Sequence, residues 1–320
     1  MAQHCLPDSK TKVFMFTKIL QTLFNRNLIL IGAIIVGLFF SGFANTLKDY
    51  NFYILAVVMT LSTTSISMKG MLPISKSIKN MGAAIFLGYF VFSSLLIVLS
   101  WFLLDNKYLF YGMVIIAASP PGVAVIPFTH ILKGDMNYTM VGTLGTYLAS
   151  IVLAPFIITL FSDSEGLDSM QLLIIMVKVI LIPFLISRLF LFKPIYAVVE
   201  KTRGHVVDFG FALIIYTAVG LNRDVFFGNF EVLALISFIL ILMMFGLGTI
   251  YEWVARRLKI ATPKSVSQKL LLTIKSSGFT ASASMSIFGR EAAIPSAVLA
   301  VLVLVYLLYL SIRNDLKQQL

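Results

Sequence analysis

Apolar runs of about 17–24 residues recur along the whole chain, separated by short polar stretches, and each is long enough to cross the hydrocarbon core of a bilayer as a helix. They fall at 28–44, 52–68, 81–104, 111–132 and 138–161, and again at 170–192, 206–221, 231–251, 267–289 and 292–312. The pattern predicts an all-α integral membrane protein with ten transmembrane helices. The runs 52–68 and 206–221 are the shortest and the most polar. Ahead of the first run, apolar residues recur at helical spacing between Val13 and Phe24 alongside Lys18 and Arg26. This segment has no small-residue cleavage site before a polar stretch, so it reads as a basic amphipathic helix on the inner leaflet rather than a signal peptide.

Charge fixes the expected orientation. If the N-terminus is inside, 19 of the 25 Lys and Arg residues fall in inner segments, and only Lys48, Lys107, Arg223 and Arg290 fall outside. The acidic loop Asp163–Asp168 is also outside. Lys and Arg resist translocation, so both termini are expected in the cytoplasm, with the chain in a plasma membrane of the bacterial inner-membrane type. Composition agrees: 59% of residues are hydrophobic and 12% charged, against about 25% charged in a soluble domain. The net charge of +11 is read as membrane anchoring, not as a nucleic-acid surface, since no nucleic-acid module accompanies it. Cys5 is the only cysteine, and His4, His130 and His205 are scattered. No disulfide, metal site or cofactor is expected.

Five runs in each half, with similar layout, place the two halves in opposite orientation. The predicted organisation is an N-terminal segment 1–27, a first repeat 28–161, an inverted second repeat 170–312 and a tail 313–320. Two runs are interrupted at corresponding positions. The fourth contains Ser119-Pro120-Pro121-Gly122; adjacent prolines remove amide donors and clash with the preceding turn. The ninth contains Lys275-Ser276-Ser277-Gly278 followed by Thr280. Paired interruptions in two inverted halves point to a transport site, against the plainer alternatives of a proline kink and of small-residue helix packing. No carboxylate sits at mid-membrane; Asp208 and Glu252 come nearest. Two lysines do fall within runs. Lys178 can snorkel outward, whereas Lys275 adjoins the second interruption, and a buried lysine is a functional candidate by default.

Pro120-Pro121-Gly122 with Lys133-Gly134-Asp135, Leu153-Ala154-Pro155, Ile182-Pro183 with Arg188, Ser277-Gly278 and Ala292-Ala293-Ile294-Pro295 together resemble the bile acid:sodium symporter family. The resemblance spans nearly the whole chain. It implies ten helices in two inverted repeats, a core domain and a panel domain, and broken fourth and ninth helices that cross at mid-membrane. It also implies uptake of organic anions with two sodium ions. On that resemblance two hydroxyl ion ligands fall on Thr139 and Thr143. The remaining expected ligand positions are substituted: Val125 and Ile126 stand where the family has Ser-Asn, Leu271 where it has a glutamate and Lys275 where it has a glutamine. Hydrocarbon offers no oxygen ligand, and an ammonium repels a sodium ion at close range.

The expectation is therefore a secondary active transporter of a small organic anion, working by alternating access without two-sodium coupling. Lys275 would stand in for a bound cation, either holding the crossing together or attracting the substrate carboxylate; proton coupling through it stays open. A transporter-derived sensor or scaffold is the alternative, disfavoured by loops too short for a signalling domain. A membrane-embedded enzyme is less favoured, as no phosphate loop, metal motif or carboxylate pair is present. Partners are the anion and membrane lipid. Substrate identity and oligomeric state are not legible.

Overall fold

The computed structural model describes residues 26–66, 74–122, 124–162 and 169–319. The basic N-terminal segment before Arg26, Lys69 and the acidic loop 163–168 lie outside them. Among the described residues the secondary structure is helical throughout, apart from one isolated antiparallel bridge between Pro121 and Lys275. In chain order the main helices are α1 (Arg26–Phe39), α2 (Asn51–Thr63), α3 (Ile74–Ile85), α4 (Ser93–Leu103) and α5 (Lys107–Ala118). Next come α6 (Val125–Ile131), α7 (Met136–Phe161), α8 (Ser169–Met176), α9 (Ile182–Leu189) and α10 (Lys193–Leu221). The last are α11 (Phe230–Ile241), α12 (Leu247–Arg257), α13 (Thr262–Thr273), α14 (Ser277–Phe288) and α15 (Ile294–Gln319). Single π-helical stretches join α3 to α4, α8 to α9 and α11 to α12.

Ten apolar runs do not give ten uninterrupted crossing helices. Five helices among the described residues are long and apolar enough to cross a bilayer: Ser77–Leu103, Met136–Phe161, Ile195–Leu221, Phe230–Arg257 and Glu291–Asn314. The pair Leu28–Phe39 and Ser41–Thr63, bent by 87° at its break, passes the same test only when taken as one span. Two of the missing helices have a local cause: runs 111–132 and 267–289 are each divided by the predicted interruption. Run 170–192 is helical from Ser169 to Leu189, through a π-helical stretch. Run 206–221 was too short at its start: α10 begins at Lys193, because Glu200, Lys201, Arg203 and His205 continue the helix as polar turns that a hydropathy pattern cannot register.

Side chains set the helix starts nearest the site. Asn106 caps α5 by accepting from the Tyr108 and Leu109 amides (2.9 and 3.2 Å), and Asp135 caps α7 by accepting from Tyr138 (2.9 Å). Both satisfy amides that a helix N-terminus leaves without partners. One set of contacts joins α10 to α1 and α2, and α9 to α2; another joins α3 to α7, α4 and α7 to α5, α13 to α7 and α12, and α15 to α14 and α11. The two groups meet where α10 packs on α14 and α15, and α2 on α14. The outer surface is apolar, with Phe39, Phe40, Trp101, Phe102, Val152, Phe156 and Phe230 exposed. A soluble protein rarely shows such a continuous apolar surface; a lipid environment accounts for it, and the chain is a multi-pass membrane protein.

Candidate functional site

The two interruptions meet. After α5 the chain runs extended through Ser119–Gly122, and after α13 through Ile274–Ser276; these stretches lie antiparallel. Gly122 N donates to Ile274 O (3.1 Å), and Ser276 N donates to Pro120 O (3.2 Å). The need for Gly122 is visible in this ribbon, since a Cβ there would come within 3.1 Å of Lys275 O. Four half-helices thus converge on one buried ribbon.

Pro121 explains what Lys275 does. An uninterrupted helix would satisfy Ala117 O with the amide four residues on, but that residue is Pro121, which has no N–H. Lys275 Nζ supplies the missing donor, at 3.2 Å from Ala117 O. It donates as well to Ser119 O (2.8 Å) and, from the π-helical stretch Phe86–Phe92, to Gly88 O (3.1 Å). An ammonium has three protons, and all three are used. The nitrogen also stands over the rings of Tyr89 (4.8 Å) and Phe92 (5.1 Å). Two of the carbonyls close the C-terminus of α5, the negative end of a helix dipole. Lys275 is 1% exposed. The nitrogen is thus held by carbonyl dipoles, a helix C-terminus and aromatic faces, with no carboxylate among its hydrogen-bond partners. Ser93 reinforces the cage: its Oγ lies 2.9 Å from Gly88 O and 2.6 Å from Ala117 O.

The remaining candidate residues separate into two places. At the crossing, Ser119, Pro120, Pro121, Gly122, Lys275, Ser276 and Ser277 sit together with Gly278 and Thr280. Ser119 Oγ bonds Ile116 O (2.8 Å), Thr280 Oγ1 bonds Ser277 O (2.9 Å), and Tyr147 OH donates to Pro121 O (3.2 Å). Ser276, at the N-cap of α14, makes no side-chain cap, and its Oγ is buried without a hydrogen-bond partner. A small cavity of about 30 Å³ lies here, lined by Gly122, Lys275, Ser276, Ser277 and Gly278 together with Leu30, Phe211 and Ile215. Gly278 accommodates Phe211: an added Cβ would overlap its ring.

The positions implied as ion ligands lie around α6 and α7. Thr139 Oγ1 is 3.0 Å from Thr129 Oγ1, which also bonds Val125 O (2.7 Å). Thr143 Oγ1 is buried without a partner. Val125 is buried and Ile126 half-buried. Leu271 is fully buried and packs against Gly142 of α7, so hydrocarbon fills the place where a carboxylate was implied. Of the implied positions, only Thr139 and Thr143 carry a side-chain oxygen. Among the described residues no group of three His, Cys, Asp or Glu could hold a metal ion.

Several contributors carried no sequence signal. Gly88 and Ser93 belong to or border a π-helical stretch, Thr129 lies one turn beyond the break, and Phe211 comes from a distant helix. Lys178 is exposed on its π-helical stretch, in keeping with an outward-reaching lysine. Arg188 donates to Ile66 O (2.9 Å) and to Thr63 O, closing the end of α2.

Among comparisons with known proteins, the profile of the Sodium Bile acid symporter family matches residues 52–229. The match takes in the first interruption, Thr139 and Thr143, and ends before Lys275. No curated protein matches the chain.

Proposed function

The chain belongs to the Sodium Bile acid symporter family, and from that premise we propose that it is a secondary active transporter of a small organic anion whose Lys275 ammonium replaces a bound cation. The carrying observation is the cage of three backbone carbonyls around Lys275 Nζ. Carbonyl oxygens around a desolvated positive charge are the environment a metal cation would need; here the cation is covalently attached. Because all three protons are spent on the cage, Lys275 holds the crossing together and does not reach for the substrate.

Anion recognition then falls to the start of α14. Its first amides lack a side-chain cap and carry the positive end of the helix dipole, and the Ser276 hydroxyl adjoins them. Phe211 closes the cavity from the other helix group, so rocking of the group containing α1, α2 and α10 against the rest would open it. This reading takes the ten apolar runs as ten passages in two inverted five-helix repeats, with the two packing groups as panel and core. It puts both termini on the cytoplasmic side of a plasma membrane. It departs from the family's name on sodium: Val125, Ile126, Leu271 and Lys275 offer too few oxygens for two-ion coupling.

The experiment is uptake of candidate bile acids and smaller carboxylates into proteoliposomes. Sodium is exchanged for choline, and a pH gradient is applied in a separate arm. The reading expects uptake that survives sodium removal. Strict sodium dependence would refute it, and a response to the pH gradient would assign proton coupling. Ligand-induced thermal stabilisation without flux would instead favour a sensor.

A further inference from the structure

At the end of the molecule opposite Arg290, around the turn between α12 and α13, the chain concentrates positive charge. Residues 252–269 contain Arg256, Arg257, Lys259, Lys264 and Lys269 against one acid, Glu252. Three cations share that carboxylate. Lys269 Nζ is 2.5 Å from Oε1, Arg313 donates to Oε1 and Oε2 (3.1 and 2.8 Å), and Arg256 Nη2 stands 3.9 Å from Oε2. The carboxylate is therefore saturated by its two close partners. Arg256, 3.9 Å away and with a side chain 72% exposed, is held only loosely.

Beside this cluster lies a cavity of about 120 Å³, lined by Arg256, Lys269, Thr262 and Ser265 along with Glu252 and the apolar Ile260 and Val266. Thr262 and Ser265 belong to the first turn of α13, a twelve-residue helix whose N-cap, Ala261, provides no side-chain cap. The cavity thus sets the exposed Arg256, the Glu252-paired Lys269 and two hydroxyl-bearing residues beside a helix N-terminus that offers the Thr262 and Lys264 amides, Pro263 between them having none. Apart from the neutralised Glu252, these are elements that bind phosphate. The neighbouring helix face indicates depth. Trp253 is exposed with Arg257 over its ring at 5.3 Å, and Ile250 and Leu258 are exposed nearby. An exposed Trp paired with a cation marks the membrane interface, and the apolar residues beside it would lie along acyl chains.

We infer that this cavity is a binding site for the phosphate of an anionic phospholipid, with Arg256, Lys269 and the start of α13 holding the headgroup and Ile250 and Trp253 lying against the tails. The site depends on the chain lying in a bilayer and not on what it transports. Basic pockets between helices at the cytoplasmic interface favour such headgroups.

The test is thermal unfolding of the purified full chain in mixed micelles titrated with phosphatidylglycerol, with phosphatidylcholine, or with inorganic phosphate and no added anionic lipid. Phosphatidylglycerol is expected to raise Tm where the other two do not. Arg256→Gln should weaken the apparent affinity for phosphatidylglycerol about fivefold, whereas Lys48→Gln, an exposed cation elsewhere, should leave it unchanged. Equal stabilisation by phosphatidylcholine would overturn the headgroup assignment. Equal stabilisation by inorganic phosphate would overturn the lipid as ligand. Equal weakening by both variants would reduce the effect to overall charge and overturn the site.

Discussion

Replacing Lys275 by alanine tests the cage directly. The substitution removes three N–H donors from Gly88 O, Ala117 O and Ser119 O. The Ser93 hydroxyl has one proton and lies within reach of Gly88 O and Ala117 O, so it can keep one of the two satisfied. Gly88 O lies inside the continuous helix Ser77–Leu103, so with Ser93 serving Ala117 O it is Ser119 O that loses its donor, at ~1–3 kcal/mol. Relief of the ammonium's own desolvation works in the opposite direction. The net expectation is a loss of about 1–2 kcal/mol, or of order 2–3 °C in Tm for a chain of this length. The vacated space is walled by oxygens, so a cation should partly restore what the ammonium supplied. Sodium at ten times its Kd would return ~1.4 kcal/mol. Thermal unfolding of the wild-type chain and of Lys275→Ala, each in sodium and in choline, reads both quantities. A sodium-insensitive wild type and a destabilised variant that sodium stabilises are the expected outcome. A variant as stable as wild type, or a wild type stabilised by sodium as strongly as the variant, would refute it.

Three further outcomes follow from the packing around the crossing and α2. Gly278→Ala drives a methyl into the Phe211 ring and should cost ~1–3 kcal/mol; adding Phe211→Ala should recover part of that stability, measured as Tm in a double-mutant cycle. Arg188→Leu leaves Ile66 O without its donor, while Thr63 O keeps the Ile66 amide, and should cost ~1–3 kcal/mol, with hydrogen exchange at the end of α2 rising before global unfolding. Arg188→Lys should restore less than half, because one ammonium does not reproduce the guanidinium fork. Thr143→Val removes a buried hydroxyl that has no partner, so stability should stay within ~1 kcal/mol of wild type and uptake in choline should match that of wild type; a large loss of uptake would restore a role for the implied ion ligands.

What the sequence conveyed and what it withheld follow from range. The two interruptions were legible because their causes are local: Pro120 and Pro121 lack amides, and a Lys-Ser-Ser-Gly stretch is conspicuous inside an apolar run. That they adjoin was expected from the resemblance and from the paired layout, and the ribbon from Pro120 to Ser276 supplies the contact itself. The count of passages was less legible. Hydropathy records where a chain prefers lipid, not how far a helix continues beyond it, so the early turns of α10 read as a loop. The carbonyl cage was beyond reach, because backbone oxygens leave no mark in a sequence. Lys275 could be identified as a buried charge, but its partners had to be sought among side chains, where no suitable acid exists. The same reasoning decides between the two roles the sequence left open for it. A lysine that met substrate would keep at least one proton free for a carboxylate; one whose three protons end on Gly88, Ala117 and Ser119 has its valence filled by the fold. In the proposed transporter the Lys275 side chain is then part of the scaffold, and selectivity for an anion would fall to groups without a partner there, the Ser276 hydroxyl and the opening amides of α14.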